Sequence, residues 1–473
     1  VTKSLISARD LFVPSKLVTI RTQWPTYFSH CLITLIKRRR VAFRRGRLEA
    51  CKKLTKKIKK QRAADHRAFI EGELAQSPTT GKYWSTLSNH FSKNKSNSKS
   101  NSIQSMVDTD GSVTADSSKI AALLSSQFSS QFNAVITDFP DISHLPDVSL
   151  PLCDVDFVRH SLKKLKNKNS QGSDQISNLL LKDSREVLSP IICTLINSVL
   201  KLKSFPSSWK KALITPVPKI SNPTHPHHYR PISVLSTISK ITERYINSIL
   251  RMYTNLSLSN SQFGFRPGRG TQDCLYTVIN DIYSRLTTCP RVGAVSLDIT
   301  KAFDNVVFNV LFTILCDLNI PLPLFLILKS YLTDRYQSVR VGDFISLPIF
   351  VNSGVPQGSV LGPTLFIIYI NSVLTNNYLF SCRPTIYAYA DDLFILSSLK
   401  TIDNHDGLNL TVSDVISHLR DTLHLSVNPA KSNYIVFSNP RSNSIVPDFT
   451  SCIISDVVIH QSDHIKYLGV LFD

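Results

Sequence analysis

The chain has 473 residues, 42% of them hydrophobic, and carries 54 Lys and Arg against 34 Asp and Glu, a net charge of +20. This length and apolar content suit a globular chain with more than one structural unit and exclude a disordered one. No uncharged apolar stretch reaches the roughly 18 residues that a membrane-crossing helix needs, so no membrane partner is expected.

The charge is uneven. Residues 1–70 hold 19 Lys and Arg against three acids, Asp10, Glu49 and Asp65. A field so concentrated attracts polyanions by releasing their counterions, and it is the footprint of nucleic-acid contact. The run Lys37-Arg38-Arg39-Arg40 also fits a nuclear-import signal, which makes an intracellular, nuclear chain the expectation. A solvated helical face is the plainer reading of the same charges, and the readings are compatible.

Residues 28–75 favour helix, interrupted only by Gly46 and Gly72, with a thin apolar stripe at Cys51, Leu54 and Ile58. Residues 92–105 are polar and of low complexity, as a flexible linker would be. A short helix is predicted over 117–132, and Pro punctuates 140–151. The expected organisation is a basic helical extension over 1–91, a linker with one short helix over 92–150, and a continuous fold over 151–473.

From Val155 onward helical and strand patterns mix without strict alternation, which predicts an α+β fold. His225, His227 and His228 read as a polar loop between two apolar strands, since no Cys or acid stands at ligand spacing. The nine cysteines are dispersed, as reduced core thiols would be. A strand is predicted over 336–341 and a helix over 364–374, after the Gly and Pro punctuated loop from Gly354 to Gly362. Val412, Ile416, Leu419 and Leu423 fall at helical spacing and are assigned to core.

The chemistry gathers at acids placed among apolar residues. A strand over 294–297 ends in Asp298, and 93 residues later Tyr389-Ala390-Asp391-Asp392 interrupts the apolar run 385–396. Strand formers on both sides make the Asp pair the tip of a β-hairpin. Adjacent carboxylates there are costly to bury without a compensating cation. Carboxylates are hard ligands that suit Mg²⁺, which keeps positions for water and phosphate oxygens.

Other blocks stand in a fixed order around these acids. They are Asn169-Ser170-Gln171-Gly172-Ser173-Asp174-Gln175-Ile176, Phe205-Pro206-Ser207-Ser208-Trp209-Lys210, Pro216-Val217-Pro218-Lys219 and Tyr229-Arg230-Pro231-Ile232-Ser233. Gln262-Phe263-Gly264-Phe265-Arg266-Pro267-Gly268-Arg269-Gly270 comes before Asp298, and Gly354-Val355-Pro356-Gln357-Gly358 after it. Asn428-Pro429-Ala430-Lys431 and Tyr467-Leu468-Gly469 complete the series. Together the blocks resemble the reverse transcriptase of non-LTR retrotransposons, the long interspersed element type, over roughly residues 155–473.

The resemblance implies a right-hand polymerase with fingers and an antiparallel palm sheet (core 205–473), preceded by the basic helical extension. It implies RNA-directed DNA synthesis from dNTPs on an element RNA template, primed by DNA at a nicked target. Two Mg²⁺ ions, replaceable by Mn²⁺, are implied at Asp298 and Asp391, with Asp392 adjacent as a looser ligand. Asp304 is assigned a structural cap or turn. By the same resemblance Lys219 and Arg230 reach the triphosphate, and Phe303 lies under the sugar, where a 2′-hydroxyl would clash. Gln357 contacts the nucleotide or template base, Gly358 gives it clearance, and Lys431 stands near the leaving pyrophosphate. Phe265, Arg266 and Arg269 line the template path, Tyr389 beside the acids is a further template or primer contact, and Tyr467, Leu468 and Gly469 hold the primer end. The chain does not begin with Met and stops directly after an apolar run, so both ends read as cuts in a longer polyprotein, with the thumb absent. The alternative is a nucleic-acid-binding remnant of such an element that does not polymerise. A Walker-type ATPase is disfavoured because the Gly-rich loop lacks Gly-Lys-Ser/Thr.

Overall fold

The computed structural model describes residues 28–44, 48–75, 105–108, 110–130, 139–167, 171–375, 384–399, 402–439 and 451–473, with 6, 7 and 103. The chain divides into two compact units, Ser7–Ser102 and a larger one of Val1–Ile6 with Ile103–Asp473.

In the smaller unit α1 (His30–Arg44) and α2 (Leu48–Ala75) form a helical hairpin. The Asp65 carboxylate ties it, accepting from Ser29 N at 2.9 Å and from the Gln61 amide at 2.8 Å. The predicted stripe of Cys51, Leu54 and Ile58 is half-buried, and Lys52, Lys53, Lys56, Lys57, Lys59 and Lys60 are exposed. At 3.6 residues per turn these lysines form an almost continuous cationic face.

The larger unit opens with β1 (Met106–Val107), β2 (Val113–Thr114) and α3 (Ser117–Ser129), which the Asp116 carboxylate caps. Helices α4 (Val155–Lys163), α5 (Asn178–Asp183) and α6 (Arg185–Leu202) follow, then β3 (Lys211–Pro218) and β4 (Tyr229–Val234). Next come α7 (Thr237–Thr254), α8 (Thr271–Thr288), β5 (Arg291–Asp298), α9 (Phe308–Asp317) and α10 (Leu322–Leu332). Strands β6 (Arg335–Val341), β7 (Phe344–Ile345) and β8 (Ile349–Val351) lead to α11 (Leu361–Tyr369) and α12 (Asn371–Thr375). After β9 (Thr385–Tyr389), β10 (Asp392–Leu399), α13 (Ile402–Ser417) and β11 (Asn433–Ser438) come two hairpins. These are β12 (Ser451–Ile454) with β13 (Val457–His460), and β14 (Ile465–Tyr467) with β15 (Val470–Phe472).

Two sheets carry this unit. The fingers sheet has the order β4-β3-β6-β7 with β8 also on β6, and β3 pairs with β6 in parallel. The palm sheet, β11-β5-β10-β9, is antiparallel throughout, as the resemblance implied. Both palm faces are covered. Val295, Leu297, Leu393 and Ile395 join the main core with residues of α9, α10, α11 and α13. Val292, Ala294, Phe394, Leu396 and Ile435 pack instead with Cys274, Val278 and Ile282 of α8. A strand buried on both faces has no polar side to show, which is why the sequence around the Asp pair is continuously apolar.

The expected linker over 92–150 is corrected in part. Residues 92–102 lie outside the described residues, but from Ile103 onward the segment belongs to the larger unit. Ile120, Ala121, Leu124 and Phe128 of α3 cover Ile214, Tyr229, Val339 and Val341 of the fingers sheet, and Leu145 and Leu150 enter the main core. The sheet leaves an apolar face that α3 closes, a need invisible in the local sequence. The predicted helix over 364–374 is two helices, α11 and α12, and Val412, Ile416, Leu419 and Leu423 are buried as expected.

One buried carboxylate joins the palm helices to the Gly-rich loop. Glu243 of α7 is fully buried and accepts from Val360 N at 2.7 Å and Leu361 N at 3.3 Å, where α11 begins. Ser239 Oγ at 3.0 Å and Tyr331 OH at 3.3 Å complete its donors. A charge at a helix N-terminus satisfies amides that have no intrahelical partner. Glu243→Leu strands those amides and is expected to cost about 2–4 kcal/mol of stability, with a smaller loss for Glu243→Gln. Chemical denaturation measures both, and equal midpoints for Leu and wild type would refute the capping role.

Candidate active site

Strand register brings the acids together. Asp392 at the start of β10 stands directly opposite Asp298 at the end of β5, and Tyr389 pairs with Asp392 across the two-residue turn Ala390-Asp391. Opposed residues of an antiparallel pair put their side chains on one face, Cβ atoms about 5 Å apart. The turn needs a positive φ at its first residue, and Ala390 takes +60°.

That strained turn is clamped by a residue with no assigned role in the sequence reading. Gln262 is fully buried, and its Oε1 accepts from Ala390 N at 3.0 Å and Gly264 N at 2.9 Å. Phe263 N donates to Ala388 O and Ala388 N to Ser261 O, so this segment meets β9 in one parallel bridge, Gln262 with Ala388. Gly264 permits the approach, because a Cβ there would lie 2.2 Å from Ala390 N. The signal was present in the Gln-Phe-Gly-Phe block, but only the fold shows what the Gln and Gly touch.

The carboxylates feel one another. Burial, and then the Asp298 charge, hold the Asp391 carboxyl above its ordinary range, against a smaller pull from Arg230. Burial, and then Asp391 and Asp298, push Asp392 up to about 6. The Asn428–Lys431 segment closes over the same strand end. Asn428 N donates to Asp298 O, and Asp298 N donates to Ser432 Oγ at 3.2 Å. Lys431 Nζ lies 3.7 Å from Asp298 Oδ2, and 68% of its side chain is exposed.

Cations face these acids. Lys219 and Arg230 occupy neighbouring positions on the β3–β4 hairpin, Val217 pairing with Arg230 and Pro218 with Tyr229. Lys219 Nζ donates to His227 O at 2.9 Å, so the His-rich loop backs this lysine. Burial holds the Lys219 ammonium below its ordinary value, and the charges of Arg230, Lys301 and Lys431 add to the effect. Lys301 was not singled out from sequence, and it joins the group because its residue sits in the turn after Asp298, at φ 48°.

Phe303 is half-buried, stacked on Phe366 with ring centroids 4.6 Å apart and edge-on to Phe265 at 6.0 Å. Gln357 Nε2 donates to both carboxylate oxygens of Asp304, at 2.8 and 2.9 Å. Asp304 thus ties the turn to the Gly-rich loop; of the expected cap or turn it is the turn, the N-cap of α9 being Val307. Gly358 has φ 100°, and a Cβ on it would come within 2.9 Å of Ser233 O.

Three expected nucleic-acid contacts are engaged within the protein. Tyr467 is 2% exposed, packs on Phe394 at 4.7 Å and shares a hydrogen bond with Cys274 Sγ, so it is a core anchor. Leu468 and Gly469 form the turn of the β14–β15 hairpin, both at positive φ. Arg266 donates to Ser259 O at 2.6 Å and Arg269 to the Asn260 side chain at 2.9 Å, so both arginines brace that turn. Phe265 keeps an exposed ring, and Tyr389 is half-buried beside the acids.

Among the described residues no three His, Cys, Asp or Glu side chains lie close enough to enclose an ion by themselves. The donor set nevertheless fits Mg²⁺, which one or two carboxylates bind together with water and substrate phosphates. The mutual repulsion of Asp298, Asp391 and Asp392 is the charge a divalent cation would relieve.

For Asp392 the sign follows from its raised value. In the metal-free chain the stability tied to its protonated form is complete below 3.8 and lost as pH rises through about 6. A cation replaces that proton. Mg²⁺ is therefore expected to raise the melting temperature by a few degrees near about pH 7.5 and to do little near about pH 5. An equal rise at both would count against the site.

A family model described as reverse transcriptase (RNA-dependent DNA polymerase) matches residues 217–472. Over 335 residues the chain is 31% identical to the probable RNA-directed DNA polymerase from transposon BS of Drosophila melanogaster, covering 69% of this chain and 36% of that protein. It is 30% identical over 322 residues to that of transposon X-element from the same organism, covering 67% and 34%. It is also 30% identical over 334 residues to the RNA-directed DNA polymerase from its mobile element jockey, covering 69% and 36%. The chain thus spans about a third of the length of these curated relatives. A solved structure of apo telomerase from Candida tropicalis overlaps 61% of this chain and 69% of its own, at 15% identity and a TM-score of 0.38. The ordered blocks, the antiparallel palm with its acid-tipped hairpin and the family match converge: the chain belongs to the reverse transcriptase family and is of the non-LTR retrotransposon type.

Proposed function

We propose that the chain is an RNA-directed DNA polymerase that joins a primer 3′-hydroxyl to the α-phosphorus of a dNTP on an RNA template. The new O–P bond forms as the bond to the β-phosphate oxygen breaks and pyrophosphate leaves. The carrying observation is that Asp298, Asp391 and Asp392 meet at one strand end where Lys431 lies 3.7 Å from Asp298 and the charge of Arg230 is felt by Asp391, with Lys219 and Lys301 in the same cationic group. A triphosphate with its counterions satisfies both sets of charges at once.

Reverse transcriptases generally use divalent metal ions. Asp298 and Asp391 would hold two Mg²⁺ here, with Asp392 adjacent, supplying charge neutralisation at the attacking and leaving oxygens. Lys219 and Arg230 bind the triphosphate, one as a point charge and the other as a fork. Lys431, on the segment clasped to β5, neutralises or protonates the departing pyrophosphate. Phe303 cannot yield to a 2′-hydroxyl because Phe366 backs its ring. The lysine face of α2 binds nucleic-acid phosphates.

Extension of a DNA primer on an RNA template by this chain with Mg²⁺ tests the reading. Asp391→Asn is expected to lower the rate at least about 100-fold, and Phe303→Ala to raise ribonucleotide use. Extension unchanged by Asp391→Asn would overturn it, as would none by the wild-type chain.

A further inference from the structure

Asp304 and Gln357 stand on the two loops that meet beside the acids, and the chemistry of their contact is directional. The Asp304 carboxylate accepts both hydrogen bonds from Gln357 Nε2. An ionised carboxylate has no proton to give, so only the NH₂ edge of the amide can face it. The planar amide then turns Oε1 away from Asp304, and none of the described residues donates to that oxygen.

The surrounding backbone leaves this pair little freedom. Ser233 N donates to Gln357 O at 2.9 Å, and Gly358 lies tight against Ser233 O. Behind the loop, Glu243 fixes Val360 and Leu361. Asp304 N donates to Lys301 O at 2.9 Å, and Ser353 Oγ reaches Asp304 O at 3.3 Å. Both partners line one small cavity of about 40 Å³ between the fingers sheet and the loop, with Ser233, Arg335 and Gln337. Burial pushes the Asp304 carboxyl up to about 6, with the Gln357 hydrogen bonds and the charges of Lys301 and Lys219 pulling the other way.

We infer that Asp304 is a positioning residue that sets the polarity of the Gln357 amide, so that the site offers an acceptor oxygen and selects a hydrogen-bond donor on the incoming nucleotide. The inference rests on the polymerase reading of the cleft. A sugar hydroxyl and a base amino group share that chemistry, and the four dNTPs separate them. A sugar donor makes the effect equal for all four, whereas a base donor spares dTTP, which has no exocyclic amino group.

Asp304→Asn is the informative variant, because Asn can still bond Gln357 with either edge. The tie between the loops survives while the polarity is released. A merely structural pair therefore predicts an unchanged KM. Polarity control predicts a KM for dNTP raised roughly 10-fold, kcat within about 3-fold and an unchanged melting temperature. In the exchanged pair, Asp304→Asn with Gln357→Glu, the Asn amide donates to the new carboxylate, which again turns an acceptor outward. It is expected to recover KM to within about 3-fold of wild type, while Gln357→Glu alone, with two carboxylates face to face, does not. A wild-type KM in Asp304→Asn, or an exchanged pair no better than Gln357→Glu, would overturn the inference.

A readout independent of turnover is the side-chain amide signal of Gln357 in the ¹⁵N-labelled chain. Its protons should exchange slowly in wild type and faster in Asp304→Asn. Fast exchange in wild type overturns the inference whatever the enzyme does. Slow exchange in a wild-type chain that extends no primer supports the pairing and places the failure with the polymerase reading.

Discussion

Three carboxylates repel one another at one end of the palm sheet, and the register of β5 with β10 leaves them no way apart. Most of the surrounding structure answers that constraint. The Gln262 amide holds the Ala390-Asp391 turn closed against it, Gly264 lets the clamping segment approach, and the Asn428–Lys431 segment is clasped over the Asp298 end. A sheet buried on both faces supplies the rigidity that such a clamp requires, since a loose strand would relieve the repulsion by slipping.

The cations answer the same charges from outside the sheet. Lys219 and Arg230 come from the fingers hairpin, Lys301 from the turn after β5 and Lys431 from the segment before β11. Each group alone is unfavourable: acids crowd acids, and lysines depress one another. Their juxtaposition leaves an electrostatic demand that an anionic ligand with its counterions would satisfy, and groups fixed in advance of such a ligand need no reorganisation when it arrives.

Loop placement depends on two acids of a different kind, Glu243 buried and Asp304 partly so. Glu243 and Asp304 each lack a close ion-pair partner among the described residues and are stabilised by hydrogen-bond donors, Glu243 by backbone amides at a helix start and Asp304 by one amide side chain. Both hold the Gly-rich loop, one from behind α11 and the other from the cleft. Such carboxylates strengthen geometry more than stability, because their desolvation offsets much of what their bonds contribute.

Chain order alone made much of this legible. Strand patterns marked β5 and the β9–β10 hairpin, and acids set among apolar residues marked the candidate site, because an uncompensated buried charge is costly. Helical spacing found the buried face at Val412, Ile416, Leu419 and Leu423. Composition misled where a segment's partner was distant in sequence. The region around α3 read as linker because the sheet face it covers lies roughly one to two hundred residues on. The sequence by itself determined which residues carry charge, where strands alternate or stay apolar, and the family to which their order belongs. Only the tertiary structure decided that Gln262 clamps the acid turn, that Glu243 caps α11 and that Asp304 orients Gln357, because each is a hydrogen bond between groups whose direction is set by packing and not by their spacing along the chain.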